Sequence, residues 1–501
     1  MTRTCAFRRG CAAAGAALAA GLSAAYAGDM LITNAVVVSP ERDKPSRPVS
    51  VYISEGRIAE IARRPSRKAR AAATVIDAAG KYLAPGLIDG HVHLDGVPGM
   101  LPRHEEAYAE IAAAARGQIP RSYLFYGFTT VIDLNSTPAR IAEWNAQTTR
   151  PHAYFCGGAP IVDGYPTSYA PKPLRYQLMP YFLFDPERAG DFPEGYDPTG
   201  HSPEAVVARM SEDGAICVKT FYEDGFGDDA SLPVPSIETV RALVAAAHAR
   251  GMKVLLHANA QEAQAFGLAA GVDAMAHGLW TWADGAATAL TDDVAALLDA
   301  IAARGTGWQP TIQVLYGERD LFDPAYLASA ALKDALPQSL IDWYGTEDGR
   351  WFRTRLAASP YVAGFIDDGR WAEIDAAPIA RVEAALGRLA ARGGRLLFGS
   401  DTPSAPTYAN PPGLNGRVEL QRWIEAGVDP ARTFRAATIG NAEFFGLDGE
   451  IGTVEEGKQA DLLVLEKNPL EDPSAYDAID MIIVDGEAFP RAALSARAGR
   501  K

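Results

Sequence analysis

Between residues 86 and 446 short apolar runs alternate with Ala-rich stretches of helical spacing, and this alternation restricts the fold more than any other feature of the chain. The runs GLIDGHVHL, FTTVIDL, HAYFCG, AICVKTF, KVLLHA, DAMAHG, GTGWQPTI and RLLFGS are separated by segments such as SIETVRALVAAAHARG and AQEAQAFGLAAG. Strands that are apolar throughout and alternate with helices belong to parallel sheets covered on both faces. Eight of them are the count of an α/β fold of the (β/α)8 TIM-barrel type, which builds its active sites at the C-terminal ends of the strands.

The flanks read differently. Residues 30–84 carry β-rich runs (LITNAVVV, VSVYISEGRIAEI, TVIDAAGKYL) between Pro and Gly turns, the pattern of a small antiparallel sheet. After Gly446 the runs GEIGTVEEG, ADLLVLE and DMIIVDG return to short strands that would complete that sheet. The expected organisation is therefore a barrel over 86–446 flanked by 28–85 and 447–501. Residues 314–394, between the seventh and eighth strands, are far longer than an ordinary connection, and such excursions are often lids or binding elements.

Residues 1–27 stand apart. Arg3, Arg8 and Arg9 precede an Ala/Gly/Leu run from Cys11 to Ala24, and Ala25-Tyr26-Ala27 closes it, which is the layout of a secretory signal peptide. The apolar run falls short of the roughly 20 residues that span a bilayer. Export to the periplasm or the medium is expected, with no membrane attachment after cleavage. Cys156 and Cys217 then remain, on interior strands where free buried thiols are the commoner outcome, although one disulfide is open to them.

Composition excludes broad classes. The 501 residues include 47 Lys or Arg against 62 Asp or Glu, a net charge of −15, and 48% are apolar. A globular protein with a large core fits; disorder, collagen and disulfide scaffolds do not. The acidic balance argues against a nucleic-acid partner. A small-molecule substrate is expected, and self-association is left open.

Chemistry concentrates at strand ends. His91 and His93 lie two apart in a strand and so share a face. His257 ends KVLLHA, His277 ends DAMAHG, and Asp401 follows LLFGS. In a barrel these tips converge, and four imidazoles with a carboxylate suit a borderline divalent cation, zinc before manganese, cobalt or iron. Lys219 occupies the tip of the fourth strand, two after Cys217. Beside a cation its amine pKa falls from about 10.4, and the neutral amine can add carbon dioxide to become a carbamate with two oxygens able to bridge two metals. Of the other histidines, His104, His201 and His248 read as surface residues, and His152 starts a strand at the end away from the active face.

GLIDGHVHLD, Lys219, His257, AGVDAMAHG with His277, GSDTP at 399–403 and the tail GTVEEGKQADLLVLEKNPLED at 452–472 together resemble the amidohydrolase superfamily of metal-dependent hydrolases, nearest its imidazolonepropionase-like and Xaa-Pro dipeptidase branches. The resemblance implies a barrel with a β-sandwich built from both chain ends. It gives His91, His93 and Asp401 to a buried metal, His257 and His277 to a more exposed one, and a carboxylated Lys219 to both.

Such a pair of divalent ions would hold a bridging hydroxide and polarise a scissile carbonyl. Asp401 would move the proton from the attacking hydroxide to the departing amine, and Tyr222, three after Lys219, would donate to the oxyanion. Cleavage of an amide or peptide C–N bond is expected, in Xaa-Pro dipeptides or N-acyl amino acids. Lactone, carbamate or phosphotriester hydrolysis is the first alternative, and a non-catalytic binding protein the second. The loop VDGYPTSYAPKP and Trp308, Gln309, Tyr316, Trp343, Tyr344 and Trp351 would wall the pocket. Arg175, Arg319 and Arg350 are candidate anchors for a substrate carboxylate.

Overall fold

The computed structural model describes residues 28–226, 231–404 and 406–498. The signal-peptide reading of residues 1–27 lies outside the described residues. Among those described, no helix is long and apolar enough to cross a membrane.

The N-terminal runs form β1 (Met30–Val37), β2 (Val49–Ser54), β3 (Arg57–Ala62), β4 (Thr74–Asp77) and β5 (Tyr82–Pro85). The alternation then gives β6 (Leu87–Val92), β7 (Phe128–Asp133), β8 (His152–Ala159), β9 (Cys217–Phe221), β10 (Lys253–His257), β11 (Ala274–Ala276) and β12 (Gly307–Gln309). The tail adds β13 (Leu462–Leu465), β14 (Ile479–Val484) and β15 (Glu487–Pro490).

Strands β6 to β12 make one seven-stranded parallel sheet in sequence order. Helices such as Ile237–His248 and Asp292–Arg304 cover it, each burying an apolar stripe of Val and Leu against the strands. The expected eighth strand, RLLFGS, is present only as isolated parallel bridges at both edges of this sheet, Trp308 to Leu396 and Val92 to Thr402.

The two chain ends join in an eight-stranded sheet, in which β5 lies between β1 and β13. The antiparallel expectation holds for β1–β2, β2–β3, β5–β13, β13–β14 and β14–β15, but not for two pairings of β1. β1 pairs parallel with both β4 and β5. The stretch GEIGTVEEG is also not a strand; it runs as turns, and Gln459 bridges to Arg57. Gly452 and Gly457, both at positive φ, favour turning over extension there.

Cys156 and Cys217 form a disulfide, contrary to the expectation of free thiols. Parallel pairing of β8 with β9 places the two residues directly opposite one another, with Cα atoms 4.4 Å apart. That separation suits a bridge, and only the register of two strands distant in sequence creates it. The excursion at 314–394 is helical, from Ile312–Asp320 through Ala376–Ala391.

Candidate metal centre

The GSD segment reaches the His-x-His strand because it carries a glycine. A Cβ on Gly399 would stand 2.6 Å from Cβ of His91. The backbone then stitches across: Asp401 N donates to His91 O at 2.7 Å, and His93 N donates to Thr402 O at 2.7 Å. Asp401 and His277 sit at φ 53° and 109°, unusual for residues with a Cβ. Their neighbours hold them there, His277 through its N–H to Gln309 O at 3.0 Å. Strain maintained in this way is a mark of functional positions.

The side chains meet as follows. Asp401 Oδ1 lies 3.1 Å from Nε2 of both His91 and His93, and Oδ2 lies 3.7 Å from His277 Nδ1. Lys219 Nζ is 3.4 Å from His91 Nε2. The His257 and His277 rings are 4.5 Å apart. Ligand atoms about 2.0–2.1 Å from a tetrahedral zinc-like ion stand about 3.3 Å from one another. The separations of 3.1 to 3.7 Å found here are of that size, and His91, His277 and Asp401 form a set able to hold a metal. Nδ1 of His91 is buried without a hydrogen-bond partner. The six residues selected from strand ends are thus brought together.

Burial shapes their charge. It pushes His91 down to about 3, with Lys219 acting the same way, and takes His277 well below the ordinary imidazole value, so both offer neutral nitrogen lone pairs. It also brings the Lys219 amine down to about 7, against the opposing pull of Asp401. Burial works against a charged His93 as well, but Asp133 and Asp401 outweigh it and raise that imidazole to about 9. Burial alone would raise Asp401; the His91 and His277 rings beside it reverse the sign and hold its carboxyl well below the usual range.

Several residues that orient the ligands were not selected from the sequence. Glu223 Oε2 lies 3.1 Å from His257 Nε2 and accepts from Asn259 Nδ2 at 2.9 Å. Asp133 Oδ1 faces His93 Nδ1 at 3.8 Å, and Thr311 Oγ1 is 3.1 Å from His277 Nδ1. Asp89, buried and raised to about 7 by that burial, accepts from Ser400 and from the His91 backbone. Strand alternation could have indicated Glu223, which lies four residues after Lys219 and on its face.

The same alternation removes Tyr222 from the site. Three residues from Lys219 is an odd step, which changes face, and the Tyr222 ring packs on Phe266, 4.7 Å away. Tyr165, in the loop after β8, lies over His257 with ring centroids 4.6 Å apart. Trp308 likewise points outward: it is fully buried and donates to Gln264 Oε1, while Gln309 points inward and donates to Gly90 O. Trp343, Tyr344 and Trp351 pack around residues 98–108 through Pro98 O, Gly99 O and His104. Tyr316 lies between Arg319 and Arg422 and donates to Glu383.

Arg175 is buried against Asp163 and the Ser168 carbonyl, and Arg319 pairs with Asp320 at 3.0 Å. Arg350 is exposed at the start of the helix Trp351–Ala357. His104 and His201 are buried rather than on the surface, because His104 caps a helix start beneath Trp343 and Trp351, and His201 stacks on Phe182 at 3.8 Å.

Residues 372–489 match the model of the amidohydrolase family. The enamidase of Eubacterium barkeri is 24% identical over 88% of this chain and 89% of its own length. The matches to an adenine deaminase of Moorella thermoacetica and a dihydroorotase of Pelotomaculum thermopropionicum, 36% and 29% identical, cover 18% and 48% of this chain but only 14% and 44% of those proteins. Among solved structures, molinate hydrolase superposes with a TM-score of 0.64 at 18% identity, covering 94% of this chain and 96% of that one. A Xaa-Pro dipeptidase with bound methionine gives 0.61 at 20%, covering 92% and 100%. At these identities the structural likeness is one of fold.

Proposed function

We propose that this chain, which belongs to the amidohydrolase family, is a binuclear metal-dependent hydrolase of a C–N bond. The observation that carries this reading is the meeting of His91, His93, His257, His277, Lys219 and Asp401, with carboxylate–imidazole separations of 3.1 to 3.7 Å. His91, His93 and Asp401 would hold the buried ion, His257 and His277 the more exposed one, and Lys219, as its carbamate, both. Residues 396–402 would serve as the eighth strand, closing a barrel over 86–446 against the sheet or sandwich built from 28–85 and 447–501. When bound, the two divalent ions supply a lowered pKa to an attacking water and a Lewis acid to the scissile carbonyl.

The protein's own part is positioning and proton transfer. Asp401 stays ionised among the imidazoles and is placed to take the proton from the attacking water. As the C–N bond breaks, Asp401 passes that proton to the departing nitrogen, leaving a carboxylic acid and an amine. Tyr165 replaces Tyr222 as the oxyanion donor. Burial first, and the charges of Asp401 and Glu223 next, keep its phenol protonated and so a donor. Glu223 and Asp133 fix the rings of His257 and His93.

The reading of residues 1–27 places the enzyme outside the cytoplasm, and the Cys156–Cys217 disulfide supports an oxidising compartment. An Xaa-Pro dipeptide, an N-acyl amino acid and an uncharged amide, carbamate or urea all fit the same chemistry. Protein loaded with zinc or manganese in bicarbonate, assayed against dipeptides, aryl amides, a lactone and an aryl phosphotriester, tests the proposal. Chelator-sensitive cleavage of an amide is expected; turnover of the esters alone would overturn it.

A further inference from the structure

Above His257 stands a group of aromatic rings, of which the proposed chemistry uses only the Tyr165 hydroxyl. Tyr165 is 4.6 Å from the His257 ring, and around it lie Phe226 at 5.5 Å, Tyr169 at 5.7 Å and Phe221 at 5.8 Å. Phe221 and Phe226 also approach His257 itself, at 6.1 and 6.4 Å. The inner members are buried or half-buried, whereas Phe226 is 42% exposed and Tyr169 58%. Large exposed rings cost solvation free energy unless something covers them. Here they extend from the solvent to the buried His257 imidazole of the proposed metal centre.

The charge of this side is equally specific. The described residues that lead into Phe226 include two acids, Glu223 and Asp224, and no base. Arg175, the arginine that holds the Tyr165 loop, is already paired with Asp163. An anionic group entering here would meet the Glu223 and Asp224 carboxylates, and the Arg175 guanidinium is not free to pair with it.

We infer that the Tyr165, Phe221 and Phe226 rings form the specificity subsite of this centre, and that it takes an aromatic group of the substrate that carries no carboxylate. The scissile bond then belongs to an aryl amide, carbamate or urea rather than to a dipeptide or N-acyl amino acid with a free carboxylate. This rests on the hydrolase reading for the identity of the bond, but the ring selectivity is measurable without turnover.

Calorimetry on the full, metal-loaded protein would compare acetanilide, its ringless counterpart N-propylacetamide and 4-acetamidobenzoate. Aromatic contacts of the usual strength predict that acetanilide binds about tenfold more tightly than the ringless amide. It should also exceed the carboxylate analogue, which the Glu223 and Asp224 carboxylates disfavour. Phe226→Ala, at an exposed position, should remove most of that advantage while metal content stays unchanged.

Equal or tighter binding of the carboxylate compound would overturn the inference, as would an unchanged order in Phe226→Ala. Selective acetanilide binding without cleavage of any amide would instead refute the hydrolase reading and leave the subsite standing.

Discussion

Glu223 holds His257 by a 3.1 Å contact from Oε2 to Nε2, and its other bond, from Asn259, fixes the carboxylate in turn. Partners of this kind set the orientation and basicity of a metal-binding imidazole. Glu223→Gln should therefore lower affinity for the more weakly held metal by about 10–100-fold, measured by metal titration with a competing chelator. Tyr222→Phe, whose ring packs on Phe266, should leave that affinity unchanged. An effect of the second substitution as large as the first would invert the assignment.

Asp401→Asn should keep the fold and lower kcat by about 10²–10⁴. Circular dichroism checks the fold and a steady-state assay the rate. A rate close to that of the wild type would remove Asp401 as the proton carrier.

Lys219 is the most diagnostic residue for a binuclear centre. Protein prepared with bicarbonate should contain about two divalent ions, and Lys219→Ala about one or fewer. Mass spectrometric metal analysis decides this. A ratio that Lys219→Ala does not change would rule out the carbamate bridge.

His152, at the opposite end of β8, reaches Asp485 at 3.2 Å and Asp461 at 3.4 Å. Burial alone would lower its pKa, but the two carboxylates outweigh burial and raise it to about 10, above the ordinary 6.5. A raised folded-state value means the stabilisation is fully present below pH 6.5 and is lost as the pH rises through about 10. Chemical denaturation between pH 7 and 11 should show falling stability, and His152→Gln should flatten that part of the curve. Identical slopes for the two proteins would exclude this linkage.

The Cys156–Cys217 bridge spans a sequence separation of 61. Loop-closure entropy gives a cross-link of that size about 4 kcal/mol. Cys156→Ala with Cys217→Ala should lower unfolding free energy in guanidinium by up to about that amount. A double variant as stable as the parent would mean that the reduced strands hold the same structure unaided.

The sequence by itself indicated eight parallel strands, of which seven form in the sheet, and the six residues that meet beside them, with Lys219 in the middle of β9 and Asp401 in the segment that only bridges its edges. Both are local in origin: apolar runs with period-two alternation fix which side of a strand His91, His93 and Lys219 occupy, and a parallel sheet brings strand ends to one face. Alternation carried one step further would have excluded Tyr222 and admitted Glu223. Only the tertiary structure decided relationships that depend on register between strands or on loop conformation. Cys156 opposes Cys217 because β8 and β9 pair at that offset. β1 pairs in parallel with β4 and β5, a choice to which composition is indifferent. Tyr165 lies over His257 because the chain after β8 folds back under the tie between Arg175 and Asp163. Side-chain identity sets what a residue can do, and the long-range geometry of the backbone sets what it does it to.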